Sequence, residues 1–155
     1  MYLLIIVGRP YGGTAILYEK SIANRVSLVQ ANNSRVIGIT LSTKYGPVLV
    51  LSVYMPTNYH DEESLEKYVE TCGEITALIT ECDAVEYIIA GDLNCNVGSR
   101  FYGHLEEFMA DNRVACSDVK LLSGEFTYSN SDHTCVFWID HVLCTKLMDN
   151  NIIEV

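Results

Sequence analysis

Asp92 and Asn94 stand two residues apart at the end of an apolar run, in Ile88-Ile89-Ala90-Gly91-Asp92-Leu93-Asn94. A two-residue step on extended chain aims both side chains the same way. A carboxylate and an amide oxygen are hard donors, suited to holding Mg2+ or orienting a phosphate. Gly91 lets the backbone turn sharply just there. The same letters also make an ordinary turn, so their meaning depends on what joins them. Val53-Tyr54-Met55-Pro56-Thr57-Asn58 reads as a strand ending in Tyr-x-Pro. Trp138-Ile139-Asp140-His141-Val142-Leu143 holds one acid among apolar residues. Such an acid is costly unless it is paired or faces a site. Gly8-Arg9-Pro10-Tyr11-Gly12-Gly13-Thr14-Ala15-Ile16-Leu17 is a Gly-rich lead-in to a strand.

A second constellation points to metal of another kind. His133, Cys135, His141 and Cys144 lie close in sequence, with His-x-x-Cys at the end. Zinc ligands usually pair on turns or a helix start. Cys135 to Cys144 reads as one strand, where neighbouring ligands would face opposite ways, so these are read as ordinary strand residues. None of the six cysteines forms a Cys-x-x-Cys pair, and they are expected to be reduced and mostly buried. The run Leu3 to Val7 is too short, and lacks the basic start, for a secretory signal. No stretch approaches membrane-spanning length. An intracellular protein is expected, in which the sequon Asn32-Asn33-Ser34 carries no glycan.

The elements that must hold these residues come from a chain of one-domain length, 155 residues and 49% apolar, enough for a real core. The net charge is -10. That does not suggest a general nucleic-acid binder built on clustered Lys and Arg, but it is compatible with a nuclease whose site is acidic. Strands are expected at Thr14–Tyr18, Val26–Gln30, Arg35–Leu41 and Val48–Tyr54, the last two joined as a hairpin by Lys44-Tyr45-Gly46-Pro47. Leu65, Tyr68, Val69, Cys72, Ile75, Ile79 and Cys82 recur at helical steps, and Asp61, Glu62 and Glu63 suit the first turn of that helix. Tyr87–Ala90 reads as a strand buried on both faces. A short helix is expected within Phe101–Asn112, then strands at Phe126–Tyr128 and Val136–Cys144. The order predicts a layered α/β or α+β domain with a sheet core, occupying residues 1–155 as a single unit. The chain starts in an apolar run and stops at Ile152-Ile153-Glu154-Val155, where polar, fraying ends are usual.

Taken in order, the four segments resemble the endonuclease/exonuclease/phosphatase superfamily, and within it the endonuclease domain of non-LTR retrotransposons. The resemblance runs from Gly8 to about Leu143. It implies a four-layered α/β sandwich of two packed mixed β-sheets flanked by helices, and hydrolysis of phosphoesters with Mg2+ or Mn2+, DNA being the substrate of the retrotransposon type. Asp92 matches the acid that orients or deprotonates the attacking water. Asn94 matches the amide that positions the scissile phosphate. Tyr54 matches a tyrosine that contacts the phosphate, and Asp140 the strand acid near the catalytic surface. Asn58, with Thr57 as its neighbour in the same place, and Trp138 are candidates for phosphate or substrate contact. Thr127 resembles a recurrent structural threonine. Asp92 and Asn94 are the metal candidates, with Asp140 beside them.

The pattern also breaks. The family's Asn-bearing first strand and metal-binding Glu should precede Gly8, and its closing Ser-Asp-His should follow Asp140. Ser131-Asp132-His133 has the right letters on the wrong side of Asp140 and reads as a polar hairpin tip. His60 and His104 read as loop or surface residues, and Phe137 stands where a small hydroxyl residue is common. The resemblance therefore implies a domain lacking its first strands and final segment, with weak or lost activity and sheet edges free for self-association. Two alternatives remain: a non-catalytic relic or protein-interaction module, and a phosphatase of the same superfamily acting on a small phosphoester. A third, an unrelated domain with a mere turn at Asp92-Leu93-Asn94, requires Tyr54, Asp92, Asn94 and Asp140 to lie far apart.

Overall fold

The structure, a computed structural model, describes residues 2–7, 13–122 and 126–150. Half of the Gly-rich lead-in (residues 8–12) and the apolar piece Ile152–Val155 lie outside the described residues.

Alternating burial drives the main sheet. β4 (Val36–Thr43) and β5 (Gly46–Tyr54) form the expected hairpin, with Leu49, Leu51 and Val53 fully buried at every second position. β5 then crosses over through α1 (Glu62–Glu81) to β6 (Glu86–Asp92), which pairs with β5 in parallel. A parallel neighbour requires such a crossover, and a helix supplies it. Asp61 caps α1 by accepting the Ser64 N–H at 2.7 Å, which satisfies one of the open donors of the first turn. Ser64, Tyr68, Thr71, Cys72 and Ile75 form its buried stripe.

β3 (Val26–Val29) extends the sheet on one side of β4. Beyond β6 lie β10 (Asp140–Thr145) and β7 (Val114–Cys116), giving the order β3-β4-β5-β6-β10-β7. Leu49, Leu51, Val53, Ile89 and Leu143 meet Tyr68, Cys72 and Ile75 of α1, with Leu105 and Phe108 of α2 (Tyr102–Asp111), in one core. Each fully buried aliphatic side chain there contributes about 2 kcal/mol. On the remaining side, β1 (Tyr2–Val7) and β2 (Thr14–Glu19) form an antiparallel pair in contact with β4 and β5. The fold is mixed α/β: a six-stranded mixed sheet, small second sheets and flanking helices, as the resemblance implies.

Several features differ from the sequence reading, short helices at Lys20–Arg25 and Lys146–Asp149 among them. β7 and α3 (Ser117–Leu121) lie where no element is expected. The expected strand over Val136–Cys144 is also broken. β9 (Val136–Phe137) pairs with β8 (Tyr128–Ser129), Trp138 and Ile139 leave the ladder, and β10 begins at Asp140. Thr127 holds the break, because its Oγ1 accepts the N–H groups of both Ile139 and Asp140 at 3.1 Å.

Candidate functional site

Sheet register brings the predicted residues together. Tyr54, the last residue of β5, is the parallel partner of Asp92, the last of β6. Asp92 is in turn the antiparallel partner of Asp140, the first of β10. Three side chains from three strands thus stand in one row at the end of the sheet. Groups placed just past strand ends are free of the ladder and face solvent. Asp140 is exposed there rather than embedded among apolar residues, because β10 starts with it.

Gly91 makes the row possible. Its φ is +140°, and a Cβ would strike the carbonyl of Val53 on the adjacent strand. The chain then turns at Asn94, whose φ of 47° lies in the left-handed region that Asn tolerates. Asp92 Oδ1 accepts the Asn94 N–H at 2.8 Å, and the Asn94 amide donates to the Met55 carbonyl at 2.7 Å. That second bond ties the loop after β6 to the end of β5 and leaves Asn94 Oδ1 for a ligand. Burial raises the Asp92 carboxyl above its ordinary range. The Asn94 N–H opposes this, and the charge of Asp140 adds to it.

Tyr54, Asn58, Asp92 and Asn94 line one cleft of about 460 Å³ with Thr57, His60, Asn96, Ser99, Tyr128, Phe137 and Ile139. Asp140 borders Asp92 across the ladder. Trp138 lies off the cleft: its N–H donates to Asn96 Oδ1 at 3.2 Å, and its indole donates to the Asp140 carbonyl at 3.1 Å. Trp138 therefore fixes Asn96 and the Asp140 backbone, while its ring stacks on His141 at 5.8 Å. His60 is exposed on its loop, as expected, yet it also borders the cleft.

Sequence reasoning missed several participants. Asn96 continues the two-residue step of Asp92 and Asn94, a signal present in the sequence. Arg35 was invisible to spacing. Its guanidinium donates to the Tyr54 carbonyl at 3.1 Å and lies 5.2 Å from the Tyr54 ring centre, so it orients that tyrosine. Tyr128 and Phe137, cross-strand partners with ring centres 6.2 Å apart, form an aromatic wall.

A different cluster sits behind the row. His141, 3% exposed, hydrogen-bonds Asp118 through Nδ1 and the Cys95 carbonyl through Nε2, both at 2.8 Å. Asp118, 2% exposed, also accepts the Val142 N–H at 2.8 Å. Burial pushes the Asp118 carboxyl up, but the His141 hydrogen bond and the Val142 N–H hold it below its ordinary value. Burial likewise pushes His141 down, but Asp118 and the Cys95 carbonyl raise it above its ordinary value. The candidate zinc residues do not assemble. His133 bonds Ser129, Cys144 packs on Ser117, and Cys135 is exposed.

The donor set at this sheet end is all oxygen: the Asp92 and Asp140 carboxylates and the Asn94 amide oxygen. The two acids repel each other across the ladder, a repulsion a hard cation between them would relieve. These residues fit a Mg2+-like ion that keeps most of its waters.

No protein-family model matches the sequence. In an alignment 153 positions long that covers 86% of the chain, it is 27% identical to craniofacial development protein 2 of Bos taurus, and spans 26% of that protein's length. An endonuclease/exonuclease/phosphatase family protein from Leptotrichia buccalis superposes with a TM-score of 0.67 at 15% identity, covering 94% of this chain and 61% of that one. The endonuclease domain of TRAS1, a telomere-specific non-LTR retrotransposon, superposes with a TM-score of 0.65 at 12% identity, covering 96% and 69%. The resemblance read from the four sequence segments thus holds at the level of architecture: the chain has the endonuclease/exonuclease/phosphatase fold.

Proposed function

We propose that the cleft at the ends of β5, β6 and β10 hydrolyses phosphodiesters, with DNA as substrate and at low rate. The observation that carries this reading is the single row Tyr54–Asp92–Asp140 set by sheet register, with Asn94 turned back over it. Asp92 takes a proton from water. Its Oδ1 is held by the Asn94 N–H, Oδ2 is left for the water, and the upward pull on its pKa makes it a stronger base once ionised. The remaining Nδ2 hydrogen of Asn94 and the Tyr54 hydroxyl donate to the phosphate, Arg35 keeping Tyr54 in place. Asp92, Asn94 and Asp140 would hold Mg2+ or Mn2+, which when bound supplies charge neutralisation at phosphorus. Asn58 lies on the cleft wall within reach of substrate. Tyr128 and Phe137 offer aromatic faces on which a nucleobase stacks.

The low rate follows from the donor set. Two carboxylates meet in the row, and the only group of three or more His, Cys, Asp or Glu ligands among the described residues lies elsewhere. A weakly held ion and a net charge of -10 both work against a polyanionic substrate. One observation favours the small-phosphoester alternative: a cleft of about 460 Å³ suits a small molecule. The test is nicking of supercoiled DNA with and without Mg2+. Slow Mg2+-dependent nicking, lost in Asp92→Asn, is expected. Turnover of a small phosphomonoester without nicking would move the substrate, and neither activity at high Mg2+ would leave a non-catalytic module.

A further inference from the structure

We propose that Cys116, Asp118 and His141 form a second metal site, buried behind the cleft and suited to Zn2+ rather than Mg2+. The three side chains come from the end of β7, from α3 and from β10. Cys116 Sγ lies 3.1 Å from Asp118 Oδ1 and 3.7 Å from His141 Nδ1, and Nδ1 lies 2.8 Å from Asp118 Oδ2. All three ligand atoms fall within 4.8 Å of one another. Ligands around a tetrahedral zinc stand about 3.2–3.6 Å apart, so shifts of a few tenths of an ångström admit the ion. Thiolate, imidazole and carboxylate together select a borderline-soft metal, whereas the row at Asp92 has only hard oxygens.

The surroundings already have the form of a metal site's outer partners. His141 Nε2 donates to the Cys95 carbonyl, which fixes the ring and leaves Nδ1 for metal. Asp118 Oδ1 accepts the Val142 N–H, and Oδ2 is freed for metal when the Nδ1 proton leaves. Cys116 is only half-buried, so ion and a fourth, water ligand enter on its side.

Charge balances without further groups. His141 faces a carboxylate at Nδ1 and a carbonyl at Nε2, with Cys116 Sγ also 3.7 Å from Nδ1, an arrangement in which both ring nitrogens donate when the ring is protonated. Thiol, carboxylate and imidazolium then sum to zero. Zn2+ displaces the Sγ and Nδ1 protons, and Zn2+, thiolate, carboxylate and neutral imidazole again sum to zero. The exchange releases two protons to solvent and leaves no net charge buried.

The site does not depend on the phosphoesterase reading. It would pin β7 and α3 to β10, with the Cys95 carbonyl linking it to the loop that carries Asn94. The test is titration of the full, reduced chain with Co2+, a spectroscopic stand-in for Zn2+. A thiolate-to-cobalt charge-transfer band saturating at one ion per chain, displaced by Zn2+ but not by Mg2+, is expected. Cys116→Ser should abolish that band, and Cys135→Ser, on the exposed hairpin, should leave it. A wild-type chain without the band, or a band that survives Cys116→Ser, overturns the proposal. Peptide-level alkylation needs no variant: Zn2+ should protect Cys116, and an unprotected Cys116 overturns the site equally.

Discussion

At the residue scale, the two histidine-side and aspartate-side shifts set opposite pH limits on one buried pair. Asp118 has a folded-state pKa below its ordinary value, so its contribution is present above the unfolded value and is lost as pH falls through the folded one. His141 has a folded-state pKa above its ordinary value, so its contribution is complete below the unfolded value and is lost as pH rises through the folded one. The pair therefore supports the fold best between the ordinary carboxylate and imidazole ranges. Without added metal, the urea midpoint should be higher near about pH 6 than near about pH 9, and His141→Gln should flatten that difference. Asp118→Ala, which strands a buried imidazolium, should cost about 3–5 kcal/mol. Asp92 carries the opposite sign from Asp118. Its raised pKa means that ionisation at neutral pH opposes folding, so Asp92→Asn should raise Tm while removing hydrolysis. A lowered Tm would mean that Asp92 is a structural acid and not a site held at the expense of stability.

At the element scale, the sheet end depends on one glycine and one threonine. Gly91→Ala places a methyl against the Val53 carbonyl at a φ that L-residues rarely adopt. It should cost about 3–5 kcal/mol or prevent folding, whereas the same change at Gly73, with nothing near its Cβ position, should be neutral or stabilising. Thr127→Val removes the acceptor of two N–H groups. Because the site is exposed, water replaces part of that loss, and about 1 kcal/mol is expected, with faster hydrogen exchange at Ile139 and Asp140 as the readout. These two residues also show what the sequence made legible. α1 was readable because twenty residues repeat a three-to-four step, and β4, β5 and β6 because their apolar patterns are long. β7 and α3, with three and five residues, are too short for any period to show. The break at Trp138-Ile139 was hidden because an apolar run looks the same whether it is one strand or two; the side chains that hold it, Thr127 and Asn96, are distant in sequence. The Asp92-x-Asn94 pair was readable from its two-residue step. Arg35, Tyr128 and Asp118 reach their places through tertiary contacts that leave no local trace.

At the scale of the whole molecule, the sheet has an outer strand with an apolar face to spare. Among the described residues, β3 is an edge of the six-stranded sheet, paired on one side only, to β4. Its four residues, Val26-Ser27-Leu28-Val29, carry no charge and no proline, the two devices that ordinarily blunt an edge. Leu28 is 52% exposed on it, and Leu17 on β2 is 60% exposed. Unpaired N–H and C=O groups beside exposed apolar side chains invite a second strand, so edge-to-edge association between copies is expected. The net charge of -10 opposes it, since like-charged copies repel until salt screens them. Those two terms predict an unusual salt response. Sedimentation velocity should show a concentration-dependent rise in mean mass that grows, rather than shrinks, as ionic strength is raised from about 0.01 M to about 0.15 M. Ser27→Lys and Leu28→Lys each put a charge on this strand. Either should restore a monomer at both salt levels without altering nicking at the distant row. Association that is indifferent to both substitutions would place the contact elsewhere, with the β1–β2 surface around Leu17 the next to mutate.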